Sequence, residues 1–356
     1  MTSREPPTPE TPNGARTWLD PRWRAEALAW VEATLAGLGR RVIGEVEHPH
    51  VRPWSTAMRV PASGGDAWFK ASGPGPAHEG PLLEVFQGFG VAHVLLPLAV
   101  HPDRPWILFE DGGLTMRATR PDGTGDHDLV AWERILAEYA ALQRSLEGQA
   151  AGAAMLAAGT PDVRPERLPD ALERLLEAGE WWALIHPEER DAADGARIRL
   201  RASVRAIRAA AGDLAGGGIA ATIQHNDLHG NNILVGPAGD RIFDWGDAAV
   251  AHPFGTLTTT FNSIADKTGL DLTDPAFVRL RDVYLEAWTN VLPQTALIEL
   301  SVLARDLACI GKALAWERSF IGLEPDEMGD FGDSVAGWLM ELADRLDGRA
   351  WAGRLG

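Results

Sequence analysis

The stretch QHNDLHGNNILVGPAGDRIFDWGDA, residues 224–248, gathers two histidines, four aspartates and three asparagines around a short glycine-containing turn. Two chemistries could use such a set. The first is a metal centre. His225, Asp227 and His229 alternate, so on a strand they would share a face, as the ligands of a zinc or two-metal hydrolase do. Gly230, Asn231 and Asn232 follow at once, however, and favour a turn over a strand. No second histidine cluster supplies further ligands: His48 and His50 fall in a Pro-containing segment that reads as a loop, and the rest are scattered. The second chemistry is phosphoryl transfer. It needs a carboxylate aimed at the attacking hydroxyl, and oxygen ligands that hold Mg²⁺ against the phosphates. His225-x-Asp227-x-x-x-x-Asn232, followed twelve residues later by Asp244-Trp245-Gly246, has the spacing of a kinase catalytic loop and its metal-binding turn. Either element alone is moderately specific. The pair in this order is far more so.

The upstream sequence tests the second reading. Phosphates need a cation on a strand, fixed by a carboxylate on the helix that follows. In AWFKAS, Lys70 stands after an aromatic pair, and Glu79 opens the next helical segment, with Glu84 a turn further on. Glu79 is the expected partner; Glu84 reads as solvent-facing.

Composition narrows the class. The chain has 356 residues and a formal net charge of -17, from 50 acidic and 33 basic side chains. That balance argues against nucleic acid as the partner, because phosphate backbones need a basic face. It suits solubility, and it is compatible with steering a cationic small molecule. Cys309 is the only cysteine and cannot form an internal disulfide, which points to a cytoplasmic chain. No run of about 18 apolar residues suggests a membrane span.

Residues 1–16, rich in Pro, Thr and Glu, read as a disordered tail. Asp20 and Pro21 open an amphipathic helix over 20–39. RVIGEVEH, STAMRVPA and DAWFKAS then read as strands, GPLLEVFQGFG as a helix, and HVLLPLAVH and RPWILFED as two more strands. Beyond EDGGLTMR the apolar period becomes helical, broken only by the quoted stretch with short strands at NILVG and DRIFD. The expected architecture is therefore α+β and two-lobed. A β-rich N-lobe occupies 17–111, a larger, mainly helical C-lobe occupies 112–356, and the hinge lies at Glu110–Gly113.

HNDLHGNNIL, IFDWGDA, AWFKAS with Glu79, and WILFEDGG together resemble the aminoglycoside phosphotransferase family, which has the protein-kinase-like fold and includes choline kinase and related small-molecule kinases. The resemblance covers roughly residues 40–350. It implies that Asp227 orients the substrate hydroxyl and accepts its proton, and that Asn232 and Asp244 ligate Mg²⁺. It implies further that Lys70, held by Glu79, contacts nucleotide phosphates, and that residues from Phe109 to Gly112, Glu110 among them, line an adenine pocket through backbone groups. His225 braces the loop, His229 braces it or lines the pocket mouth, and Asp247 orients its neighbours.

The chain also departs from the family pattern. Asn226 replaces a glycine, and Gly230-Asn231 replaces Pro-Gly. His252-Pro253-Phe254 replaces the usual Gly-Asp-Pro continuation. The segment EVEHPHVRPWSTAMRV between the first strands has no glycine, so Ser55 and Thr56 hydroxyls or amides are the candidates to meet phosphate, with Arg52 and Arg59 nearby. Trp181-Trp182 reads as packing, with stacking on a sugar or cation as the alternative.

The resulting expectation is an ATP- and Mg²⁺-dependent phosphotransferase, with GTP an open alternative, acting on a hydroxyl of a small molecule. An aminoglycoside, amino sugar or choline-like cation is the suggested acceptor, with neither nucleic acid nor membrane as partner. The rivals are a kinase-like nucleotide-binding regulator without turnover, kept open by the glycine-free segment, and the metallohydrolase.

Overall fold

The computed structural model describes residues 14–236 and 239–346. Most of the expected tail, residues 1–13, lies outside them. Ala15 and Arg16 were also expected within that tail. They instead open a short helix α1 (Ala15–Trp18), whose Trp18 indole is buried and donates to the Arg52 carbonyl at 2.8 Å. Contacts divide the chain into two compact units. One takes residues up to Gly80 with Pro97–Asp111 and Arg318–Gly329. The other takes Pro81–Leu96, Gly112–Glu317 and the residues from Asp330 on.

The units are therefore not continuous in sequence. Arg318–Gly329 groups with the first unit because Gly75 lies so close to the Arg318 carbonyl that an added Cβ would sit 2.0 Å from its oxygen. Phe320 also meets Trp54 there, with ring centroids 6.2 Å apart. Pro81–Leu96 groups with the second unit, where Phe86 packs edge-on to Trp245 at 4.8 Å.

The first unit is built on an antiparallel sheet. Its strands are β1 (Glu47–Val51), β2 (Ser55–Val60), β3 (Ala67–Ser72), β4 (Ala99–Val100) and β5 (Trp106–Glu110), in the order β1-β2-β3-β5-β4. The succession of elements is the expected one, with two differences. The first strand begins at Glu47 instead of Arg41, so His48 and His50 lie on a strand and not in a loop. Pro49 is tolerated there because β1 is an edge strand and its register slips between Glu47 and His50. The fourth strand keeps only two residues of the expected nine.

Helix α2 (Pro21–Gly37) is capped by Asp20, whose carboxylate accepts from the Arg22 N–H at 2.7 Å. It buries Trp23, Ala27, Val31 and Leu35, a four-residue spacing that makes one stripe, against Met58, Phe69, Trp106 and Leu108 of the sheet. Strand alternation then sorts β3: Ala67, Phe69 and Ala71 enter this core, and Lys70 points from the opposite face.

The second unit is mainly helical. It contains α3 (Glu79–Phe89, from Pro81 on), α4 (Leu129–Ser145), α5 (Gln149–Ala157), α6 (Leu168–Glu177), α7 (Gly179–Ala183) and α8 (Arg190–Gly216). Short strands β6 (Thr222–Gln224), β7 (Ile233–Leu234), β8 (Arg241–Ile242) and β9 (Ala249–Ala251) follow. After them come α9 (Thr256–Thr268), α10 (Pro275–Leu285), α11 (Gln294–Ser319) and α12 (Ser334–Arg345). α4 packs on α10, and α8 packs on α6 and α12. Trp132 and Trp288 are fully buried, and Cys309 is a core residue whose thiol burial pushes up to about 12. Trp182 packs as well: its indole donates to the Leu175 carbonyl at 3.1 Å and Arg197 covers its ring. Among the described residues no helix is long and apolar enough to cross a membrane.

Phe69 stands within 6.2 Å of Trp23, 5.9 Å of Trp30 and 5.6 Å of Trp106, centroid to centroid. Phe69→Ala is expected to cost about 3–5 kcal/mol in chemical denaturation, because the tryptophans around it are too large to collapse into the space. A loss below about 1 kcal/mol would show that this cluster does not organise the unit.

Candidate active site

The loop after β6 is held before it begins. Buried Gln143 of α4 donates to the Ile223 carbonyl at 2.7 Å, and the Thr222 hydroxyl donates back to the Gln143 carbonyl at 2.9 Å. The chain then turns at Asn226, whose φ is +64°. This left-handed conformation suits glycine, and among other residues it suits asparagine best, which accounts for the residue found at this position. The Asn226 side chain uses both ends, accepting from Gln224 Nε2 at 2.6 Å and donating to the Asp247 carbonyl at 3.0 Å. Two hydroxyls of α9 fix the loop's carbonyls: Thr259 donates to Asn226 O and Thr260 to Leu228 O, each at 2.9 Å. Gly230 is required by close approach, since a Cβ there would lie 2.3 Å from that of buried Asp126. Asn231 follows in the turn. It has no positive φ, and its N–H donates to His229 Nδ1 at 3.2 Å.

His225 is fully buried, and both ring nitrogens are in use. Nδ1 accepts from the Asp227 N–H at 3.2 Å, so Nε2 carries the proton and donates to the Phe243 carbonyl at 2.9 Å. Trp245 lies against the ring at 4.6 Å. Burial lowers the imidazole's pKa and keeps it neutral. No lone pair is left for a metal, and among the described residues no group of three His, Cys, Asp or Glu side chains is arranged to hold one. The metallohydrolase arrangement of His225, Asp227 and His229 is therefore absent from the structure.

Asp227 projects from the loop into a ring of donors. Lys312 Nζ of α11 lies 3.3 Å from Oδ1. His229 Nε2 lies 3.2 Å and Asn232 Nδ2 3.1 Å from Oδ2. A carboxylate offers about four lone-pair sites. These contacts fill three and leave one for an incoming group. Burial alone would raise the Asp227 carboxyl, but the Lys312 ammonium and then the His229 hydrogen bond reverse this and hold it far below the usual carboxylate range. Lys312 also reaches Asp247 Oδ2 at 3.2 Å. Burial would lower its pKa; Asp227 and Asp247 raise it, so it remains an ammonium.

The pairing of β7 with β8 explains the spacing of the two candidate metal ligands. Ile233 faces Ile242, and the Phe243 N–H donates to the Asn232 carbonyl at 3.1 Å, so residues 232 and 244 emerge from adjoining ends of one ladder. Asn232 spends its amide N–H groups on the Asp227 carbonyl at 2.8 Å and on the Asp227 carboxylate, which leaves its Oδ1 as an oxygen ligand. Asp244 takes the left-handed conformation at φ 63°, ψ 61°, which is uncommon for a non-glycine residue. An amide oxygen with a carboxylate is a hard-oxygen set that fits Mg²⁺, which commonly takes one or two protein ligands and fills its shell with phosphate and water.

In the first unit, Lys70 Nζ and Glu79 Oε2 are 2.5 Å apart, with side chains 15% and 1% exposed. Glu84 is exposed. Of the other candidates, Thr56 and Arg59 are engaged within the sheet. The Thr56 hydroxyl donates to the His50 carbonyl at 2.8 Å and meets the His48 ring, so it is used within the strand pair. Ser55 is buried opposite Ser72, at a tight hairpin tip closed by the Arg52 N–H on the Ser55 carbonyl at 2.8 Å. Arg59 is taken by Asp66 at 2.6 Å. Glu110 ends β5 with its side chain 64% exposed, and the Asp111 N–H is spent on Asp66 O at 3.1 Å. The Gly112 carbonyl accepts from Arg241 at 3.0 Å, and a Cβ on Gly112 would strike Leu234 at 2.1 Å.

Lys312 was not foreseen. The sequence did carry a signal: the chain has 33 cationic side chains, yet only Lys70, Lys267 and Lys312 are lysines. Lys267 is a surface pair with Asp266. Of the other two, Lys312 is buried and Lys70 largely so, each beside a carboxylate.

Comparison with known proteins identifies the family and the fold. The model of the phosphotransferase enzyme family matches residues 88–297, more than half of the chain. No curated protein sequence matches. Among solved structures, a choline/ethanolamine kinase family protein from Mesorhizobium loti is similar at 15% identity and TM-score 0.59, covering 92% of this chain and 98% of that one. Plasmodium vivax ethanolamine kinase is similar at 13% identity and TM-score 0.58, covering 94% and 91%. A macrolide 2'-phosphotransferase from Brachybacterium faecium gives 16% identity and TM-score 0.51, covering 87% and 98%. These likenesses establish the fold.

Two outcomes follow from the loop geometry. Asn226→Gly and Asn226→Ala lose the same two side-chain hydrogen bonds, but only alanine adds left-handed strain, so the alanine variant should be the less stable of the two by about 1–2 kcal/mol. Equal stabilities in thermal melts would contradict the conformational account. The second concerns His252, whose Nδ1 accepts from the Phe254 N–H at 3.3 Å and whose pKa burial pushes down to about 3. The unfolded chain takes up this proton near pH 6.5 and the folded chain does not, so stability is present above that pH and declines as pH falls toward 3. His252→Asn should flatten the acid limb of a stability–pH curve by up to about 1.4 kcal/mol per pH unit. An unchanged slope would show that the ring is accessible to protons in the folded state.

Proposed function

The chain belongs to the phosphotransferase enzyme family and is a small-molecule phosphotransferase; from that premise we propose that it transfers the terminal phosphoryl group of ATP, with Mg²⁺, to a hydroxyl of a small acceptor. The observation that carries the reading is Asp227. Its carboxylate is ionised, held on three sides, and has one acceptor site left beside an amide and a carboxylate suited to Mg²⁺.

In this reading Asp227 orients the acceptor hydroxyl and takes its proton as the oxygen–phosphorus bond forms. A carboxylate held so far below its usual range is a weak base, so its main contribution is alignment, and the proton moves late. That suits phosphoryl transfer, whose loose transition state asks for positioning and charge stabilisation more than for strong nucleophile activation. Asn232 and Asp244 would hold Mg²⁺, which when bound offsets charge on the phosphate oxygens. Lys70, fixed by Glu79, would contact nucleotide phosphates. His225 and His229 act through the loop, as donors and braces. Aminoglycosides and amino sugars remain the first acceptors to try, on the acidic balance of the chain.

A binder without turnover is the reading favoured by one observation, the glycine-free hairpin tip whose Thr56 hydroxyl is already engaged. One assay separates the two. ADP release from Mg-ATP is followed over hydroxyl-bearing acceptors, with Asp227→Asn alongside. Acceptor-dependent release that falls about 10²–10⁴-fold in the variant is the expected result. Release that is independent of acceptor, or equal in the variant, would overturn the assignment.

A further inference from the structure

Beside Asp227 a place with the features of a cation seat is filled from within. An ammonium-bearing acceptor is held by carboxylates and by the face of an aromatic ring. Beside Asp227 these features exist, and Lys312 takes all of them. Its Nζ lies 3.3 Å from Asp227, 3.2 Å from Asp247 and 5.8 Å from the centre of the Trp338 ring. The side chain is only 4% exposed. Trp316 follows one turn later on α11, on the same face, and stacks on Phe331 with centroids 5.5 Å apart and planes at 18°.

Resting on the phosphotransferase reading, we propose that Lys312 is a positioning and specificity-determining residue. It clamps Asp227 and Asp247 in one geometry and excludes a positive charge next to the reacting hydroxyl, so the acceptor is uncharged at its reacting end. A second cation near the ammonium would meet repulsion across a few ångströms in a largely desolvated setting, where screening is weak. The acidic surface of the chain does not alter this, because the Lys312 ammonium itself occupies the space between the two local carboxylates. An amino sugar whose amine lies far from the hydroxyl is compatible with the proposal; a compact amino alcohol is not.

The test begins with binding, which needs no turnover. Tetramethylammonium is titrated calorimetrically into the wild-type protein, Lys312→Ala and Lys312→Met. Lys312→Ala opens the seat and should bind the ion at least about ten-fold more tightly than wild type. Lys312→Met fills the seat without charge and should show no such gain, so the pair separates vacancy from damage. With Asp247→Asn added to Lys312→Ala, the gain should shrink. Thermal melts identify a variant that fails to fold. In that event the wild-type protein labelled with ¹⁵N-lysine still decides: its lysine signals are few, and Lys312 Nζ should move on Asp247→Asn and stay fixed on adding tetramethylammonium. Equal cation affinity in wild type and Lys312→Ala, or a cation that shifts the wild-type Lys312 signal, would overturn the proposal.

Turnover then compares choline with its uncharged analogue 3,3-dimethylbutan-1-ol. Wild type should favour the uncharged alcohol by about ten-fold in kcat/KM, and Lys312→Ala should reverse the order. A wild-type preference for choline would overturn the proposal. Absence of turnover with both, while the binding pattern holds, would count against the phosphotransferase reading and not against the role of Lys312.

Discussion

One imidazole ties together the two segments of the candidate site. His225 accepts from the backbone of Asp227 through one nitrogen and donates to the carbonyl of Phe243, next to Asp244, through the other. A neutral ring has one donor and one acceptor, so the arrangement fixes its tautomer and leaves nothing over. Trp245, fully buried against His225, Phe86 and Tyr139, prevents the ring from turning. The consequence is geometric. The Asp227 carboxylate and the turn at Asp244 cannot shift independently without leaving a buried polar group unsatisfied, a loss of about 1–3 kcal/mol. That cost is the same order as the local strain at Asn226 and Asp244, which the surrounding hydrogen bonds can therefore hold in place.

The charges follow from this frame. Asp227 is one of several acidic groups crowded around a short loop, and crowded carboxylates would ordinarily share protons. Lys312 prevents that by placing one ammonium against two of them in a buried position. The chain otherwise uses arginine almost throughout for its cations, which makes buried Lys312 and largely buried Lys70 informative. A compact ammonium can sit between two carboxylates where a planar fork would need more room. Lys70 against Glu79 follows the same logic in the other unit, with a buried carboxylate keeping a cation extended from the sheet.

What the sequence disclosed were local patterns. The loop at 225–232, the Asp-Trp-Gly turn, the alternation that aims Lys70 away from the core, and the capped helices all lie within windows of ten to twenty residues. Their side chains are fixed by period and spacing, so they could be read without a fold. What was missed depends on contacts over long separations. Lys312 reaches Asp227 from 85 residues away, in a helix whose pattern reads simply as core. The Thr56 hydroxyl looked available until its pairing with β1 was known, and that strand was misplaced because Pro49 suggested a loop. Asn226 carried a signal that can be read in retrospect, since asparagine at a position otherwise held by glycine points to a left-handed residue. The threonines of α9 gave none, because a hydroxyl can be assigned to a carbonyl only once both are placed.

The central claim is that Asp227 and its neighbours direct a phosphoryl group to an acceptor oxygen, as opposed to water or a nucleotide merely bound. The ³¹P spectrum of a reaction with Mg-ATP and a hydroxyl acceptor tests this most directly, because it reports where the phosphorus ends. The account predicts a phosphomonoester signal that grows in step with ADP and is absent with Asp227→Asn. Inorganic phosphate alone, or a monoester formed equally well by the variant, would contradict it.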